Sequence, residues 1–162
     1  MNFLRRLIGV IFALTIAFGA GLIFLPLAVV ADPVTRAAAF VFIQMALSDL
    51  NPDIAPGEES GGLDLLGDLA WAVVVTVSAM PVTVVGLIGE LARVRTFYWY
   101  AGGTAVVAAA SPWLIRLGLN LPRAGQYNSA ELRFALVFFF GGLLSGSVYW
   151  LLAGRRAGLY LR

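Results

Sequence analysis

Residues 7–31 read LIGVIFALTIAFGAGLIFLPLAVVA, twenty-five positions without an acid or a base. A bilayer hydrocarbon core about 30 Å thick is crossed by roughly 20 apolar residues in a helix, so this run is long enough to span one. Arg5 and Arg6 ahead of it and Val29-Val30-Ala31 at its end give it the outline of a secretory signal. Its apolar length exceeds the about 7–15 residues of a signal core, so the segment is expected to be retained as an anchor helix.

Three further runs meet the same requirement: Leu69 to Gly89, Phe97 to Ile115 and Phe134 to Ala153, again without Asp, Glu or Arg. Backbone groups in lipid must be satisfied internally, which leaves helices or a closed barrel. These runs lack the period-two alternation of barrel strands, so four spanning helices are expected. The whole composition agrees. Of 162 residues, 60% are hydrophobic and 12% charged, with mean hydropathy +0.90, against roughly 25% charged in ordinary soluble domains. The reading is an all-α, polytopic integral membrane protein forming one membrane domain, a four-helix bundle.

Arginine sets the orientation. Arg5, Arg6, Arg93, Arg95, Arg155, Arg156 and Arg162 fall on one side of a chain that crosses four times; Arg36, Arg116, Arg123 and Arg133 fall on the other. The positive-inside rule then places both termini in the cytoplasm. Trp71, Trp99, Trp113 and Trp150 all lie near span ends, where amphipathic rings settle.

Between the first two spans, residues 34–47 (VTRAAAFVFIQMAL) are too short to cross comfortably and carry Arg36 and Gln44. An interfacial helix on the outer side is expected, with a re-entrant helix or a fifth span as alternatives; a fifth span would carry the C-terminal arginines outside. Asp32 is placed to cap this helix and Pro33 to occupy its first turn. Residues 48–68 form an acidic outer loop holding Asp49, Asp53, Glu58, Glu59, Asp64 and Asp68. Its start is expected to be irregular and Leu63 to Leu69 to begin the next helix early, with Asp64 and Asp68 at the favourable end of the helix dipole.

The chemical inventory is narrow. Lys, His and Cys are absent, which removes disulfides, thiolate and imidazole metal sites, Cys or His catalysis and Schiff-base lysines. No cofactor and no bound metal are expected. The pI near 9.4 arises from a net charge of only +2 and carries no argument for nucleic acid. Ser145-Gly146 invites comparison with an intramembrane serine protease, but Leu143 stands where a glycine is needed and no His can act as base. Asp49-x-Asn51-x-Asp53 opens like a calcium loop, yet Ile54 and Ser60 occupy the positions that require Gly and Glu. The chain is read as non-enzymatic.

Three constellations remain. Glu90 is the acid nearest the membrane interior; it reads either as a coupling carboxylate at an inner mouth or as an interfacial salt bridge with Arg93, three positions on, ending a helical hairpin. Pro81, flanked by Thr76, Ser78 and Thr83, breaks one helix hydrogen bond and marks either a packing kink or a polar path. Gly141, Gly142, Ser145 and Gly146 make a small-residue face on the last span, suited either to packing within the chain or to a dimer or partner contact. The stretch Tyr149 to Gly158, with Arg155 and Arg156, is accounted for as a topology anchor, with attraction of anionic lipid heads as the competing reading.

At that tail, and at Gly89-Glu90 through Arg95 into Tyr100-Ala101-Gly102-Gly103, the chain resembles uncharacterised small four-helix inner-membrane proteins of bacteria. The likeness covers roughly residues 86 to 158 and implies a bacterial inner-membrane location, with no activity, cofactor or catalytic residue. The expected function is association with the lipid bilayer and with a membrane-protein partner or a second copy, as an accessory or assembly subunit. The alternative is a small oligomeric channel or carrier using Thr76, Ser78, Pro81, Thr83 and Glu90.

Overall fold

The computed structural model describes residues 2–49, 60–118 and 129–157; the side chains of 2–3, 42, 45–49, 60–70, 72–76, 115–118 and 129–130 lie outside the described set. Among the described residues the protein is all-α. Five α-helices run in chain order: α1 Asn2–Ala31, α2 Pro33–Asp49, α3 Ser60–Leu91, α4 Phe97–Gly118 and α5 Ser129–Leu152, followed by a 3-10 turn at Gly154–Arg156. Two stretches among the described residues, Leu4–Ala31 and Glu131–Leu152, are long and apolar enough to cross a membrane. The described part of α3 contributes a shorter apolar stretch, Val77–Leu91. Helix α4 does not reach the same hydropathy, because Tyr98, Trp99, Tyr100, Thr104, Ser111 and Pro112 dilute its alanines and valines.

Three helices begin earlier than the expected spans; α5 starts at Ser129 rather than Phe134, so Glu131 and Arg133 are helical. Helix α1 begins at Asn2, so Arg5 and Arg6 are helical rather than ahead of the helix. Helix α3 begins at Ser60, inside the segment expected to be an acidic loop, and at about 1.5 Å per residue its 32 residues extend ~48 Å. Asn51, Asp53, Glu58 and Glu59 lie outside the described residues.

Helices α1 and α2 are separated by a single residue. Pro33 has no N–H, so the Val29 carbonyl four positions back loses its ordinary helical donor. The Thr35 hydroxyl replaces it, donating to Val29 O at 2.9 Å. Six residues of straight helix would separate those groups by ~9 Å along the axis, so the chain turns here. The Thr35 backbone N–H donates to Asp32 Oδ2 at 3.1 Å, the N-cap bond that the sequence predicts.

Helix α5 packs against each of the other four, and its interface with α4 is the most extensive in the molecule. Helix α3 touches both α1 and α4, while α1 and α4 share no contact among the described residues. The four long helices therefore form a diamond whose short diagonal is α3–α5. Arg6 at the start of α1 meets Glu90 at the end of α3, and Tyr100 at the start of α4 meets Tyr149 near the end of α5. Neighbours in sequence thus alternate in direction, apart from α2. At the opposite end Arg133 of α5 pairs with Asp32 at 2.7 Å.

The packing is small inside and large outside. Ala13, Ala17, Ala101, Ala105, Ala108 and Ser145 are buried where helices meet, whereas Ile8, Ile11, Phe12, Ile16, Ile23 and Leu27 of α1 are all exposed. Leu136, Phe140 and Leu144 of α5 are exposed too. A water-soluble fold arranges these classes the other way, since large exposed apolar area is unfavourable in water.

Candidate functional site

The polar groups gather where α1 and α4 start and α3 and α5 end. Glu90 Oε1 accepts a hydrogen bond from Arg6 Nη2 and another, at 3.2 Å, from the Tyr149 hydroxyl. Arg6 Nη2 also donates at 3.1 Å to Ala153 O, the carbonyl just past α5 that also accepts the Arg156 N–H. One carboxylate therefore joins α1, α3 and α5. The partner expected from spacing, Arg93, is not the one used. Arg93 lies past the end of α3 in the left-handed region (φ 56°). Its N–H bonds Glu90 O at 3.2 Å and the Val94 N–H bonds Gly89 O at 2.9 Å. Those two bonds make a Schellman turn, and the Arg93 side chain is exposed there while Glu90 pairs with Arg6.

Tyr100 and Tyr149 are each 1% exposed, with ring centroids 5.4 Å apart. Glycines make the room. A Cβ on Gly89 would lie 2.7 Å from the Tyr100 ring, one on Gly154 would lie 2.9 Å from it, and one on Gly86 would press on Tyr149 at 3.3 Å. The Tyr100 hydroxyl donates to Val94 O at 2.8 Å, holding the turn before α4. Around the same turn Trp99 Nε1 donates to Val85 O at 3.3 Å and Trp150 Nε1 to Arg95 O at 2.8 Å. Arg95 Nε donates to Ala157 O at 2.7 Å. These contacts join groups far apart in sequence, and no short motif encodes them. The available signal was Glu90 standing alone near an end of one helix and Arg6 near an end of another.

The small-residue face of α5 is occupied within the chain. A Cβ on Gly142 would stand 2.6 Å from Thr104 O, and one on Gly146 would overlap the Tyr100 carbonyl, both on α4. Gly141 faces Leu25 and Phe24 of α1, and Ser145 Oγ lies against Gly21. These four residues turn inward, so a partner contact through them would require the chain to open.

The described residues of the possible polar path differ in burial and engagement. Ser78 and Pro81 are buried on the inward side of α3, and Thr83 is half-buried on its flank. Glu90 is closed by Arg6 and Tyr149, and the Thr76 side chain lies outside the described residues. Ser78 Oγ is buried with no hydrogen-bond partner among the described residues. At the opposite end the Asp32 carboxyl is held below its ordinary value of 3.8. The Thr35 backbone N–H is the main cause; desolvation opposes it, and the Arg133 charge adds to it.

No known protein family matches the chain, and no curated protein or solved structure is significantly similar to it.

Proposed function

We propose that the protein is a non-enzymatic integral membrane protein of the bacterial inner membrane that acts by association, as an accessory or assembly subunit. In this reading α1, α3, α4 and α5 span the bilayer as a four-helix bundle, and both ends of the chain face the cytoplasm. Helix α2 lies in the outer interface, and the acidic residues 48–68 stand outside. The observation that carries it is the inside-out packing: small side chains in the interior, large apolar ones on the exposed faces. Lipid, unlike water, favours that distribution, because close backbone approach rather than apolar burial holds helices together there. The common end of Arg5, Arg6, Arg93, Arg95, Arg155 and Arg156 agrees with a cytoplasmic side by the positive-inside rule. Glu90 with Arg6 and Tyr149, and Asp32 with Arg133, are engaged in joints between helices, which supports action through the outer surface.

One observation favours a second reading, a small carrier or channel: the buried, unpartnered hydroxyl of Ser78 near Gly21 and Pro81. Gentle-detergent extraction from native membranes followed by native mass analysis separates the two. A stoichiometric second protein supports the association reading. A discrete homo-oligomer alone shifts the case to the carrier, which then requires substitution at Pro81 or Thr83 to alter solute flux while leaving assembly intact. A bare monomer in retained lipid would sink the association reading.

A further inference from the structure

Two turns converge beside α5. One links α3 to α4 and holds Arg93 and Arg95; the other follows α5 and holds Arg155 and Arg156. They are stapled by Arg95 Nε to Ala157 O at 2.7 Å, and Trp150 Nε1 of α5 donates to Arg95 O at 2.8 Å. Four arginines are thereby brought to one corner of the molecule, and all four are exposed. None of them makes an ion pair among the described residues, and Glu90, the acid described at this end, is already taken by Arg6. Trp150 packs edge-on against Phe97 at 5.3 Å beneath the same corner, an aromatic pairing that suits the boundary between headgroups and acyl chains.

Arg93 adds an independent argument. It occupies a left-handed position that glycine fills without steric cost. An arginine kept there costs the fold stability, and its guanidinium returns no ion pair among the described residues.

We propose that this corner is a binding site for the phosphodiester headgroup of an anionic phospholipid. Guanidinium groups match phosphate oxygens in a forked geometry, and basic clusters at the cytoplasmic face of membrane helices are where such headgroups settle. The proposal rests on the membrane reading above and goes beyond a topology anchor, which needs positive charge on one side but no particular pair of turns.

The test uses the full chain reconstituted into phosphatidylcholine vesicles containing a minor fraction of phosphatidylglycerol, then native mass analysis of the lipid retained as detergent strips the annulus. Wild type is expected to keep phosphatidylglycerol in preference to phosphatidylcholine, and millimolar inorganic phosphate is expected not to displace it. Arg93→Gln/Arg156→Gln should weaken retention roughly 30-fold, two arginines' worth at the membrane surface. Arg5→Gln, which removes a charge outside the two turns, should change it by less than about twofold if the site is local. Arg93→Gly guards against a folding artefact: it should melt no lower than wild type, since strain is relieved, and still lose phosphatidylglycerol. Equal loss in Arg5→Gln, no preference in wild type, or displacement by phosphate would each overturn the lipid site. Failure of wild type to resist carbonate extraction from pure phosphatidylcholine vesicles would overturn the membrane reading instead, and the site with it.

Discussion

Glu90 and Arg6 stand 84 positions apart and share one joint, with side chains 16% and 18% exposed. Removing one partner strands a half-buried charge. Glu90→Ala is expected to cost roughly 2 kcal/mol in unfolding followed in detergent, below the 3–5 of a fully buried pair because solvent still reaches both groups. The double substitution Arg6→Met/Glu90→Leu should cost less than the sum of the single ones, since no uncompensated charge is left. Additivity of the two would argue that the pair is not coupled. Ser78 behaves in the opposite sense. Its hydroxyl is buried without a partner, so Ser78→Ala should be neutral or stabilising by up to ~1 kcal/mol. Clear destabilisation would mean that the hydroxyl has a partner.

Among the elements, the α4–α5 contact depends on glycine for space. Gly146→Ala would put its Cβ 2.8 Å from the Tyr100 carbonyl carbon. Backbone cannot rotate aside as a side chain can, so a loss of about 3 kcal/mol is expected in the melting transition. Gly102 faces nothing within 4 Å, and Gly102→Ala should gain ~0.5–1 kcal/mol from backbone entropy alone. Equal effects from the two would show that α4 and α5 do not pack as described. At the α1–α2 corner, Thr35→Val removes the donor that replaces the missing Pro33 N–H, at a cost of roughly 1–2 kcal/mol. Asp32 gives the corner a pH dependence. Its carboxyl is lowered in the folded state, so its stabilisation is fully present above its ordinary value of 3.8 and is lost as pH falls through the lowered value. Melting temperature compared at neutral and strongly acidic pH should show a component that Asp32→Asn abolishes.

For the assembled chain, alternating helices require α1 and α4 to begin, and α3 and α5 to finish, at one end. Accessibility reporters at Thr96 and after Arg156 should therefore label from the same side of a sealed vesicle, with a reporter at residue 55 labelling from the other. Opposite labelling of Thr96 and the C-terminal reporter would refute four crossings. Oligomer contacts, if present, are expected on the exposed large apolar side chains rather than on the glycine face of α5, which is spent on α4 and α1.

Helical, apolar character was legible without coordinates because it depends on runs of consecutive residues: no charge through 7–31 or 134–153, and no alternation that would suit strands. The Asp32–Pro33 cap was legible for the same reason, since donor and acceptor lie three residues apart. The choice of Arg6 over Arg93 for Glu90 was not. It depends on α1 extending to Asn2 and on α3 ending in a Schellman turn at Arg93. Nor was the inward turn of Gly142 and Gly146, since a small-residue face allows close approach to any neighbouring helix and says nothing about which one. Local chemistry specifies each helix; which helices touch is settled by the few places where backbone, tyrosine ring and ion pair fit together at once.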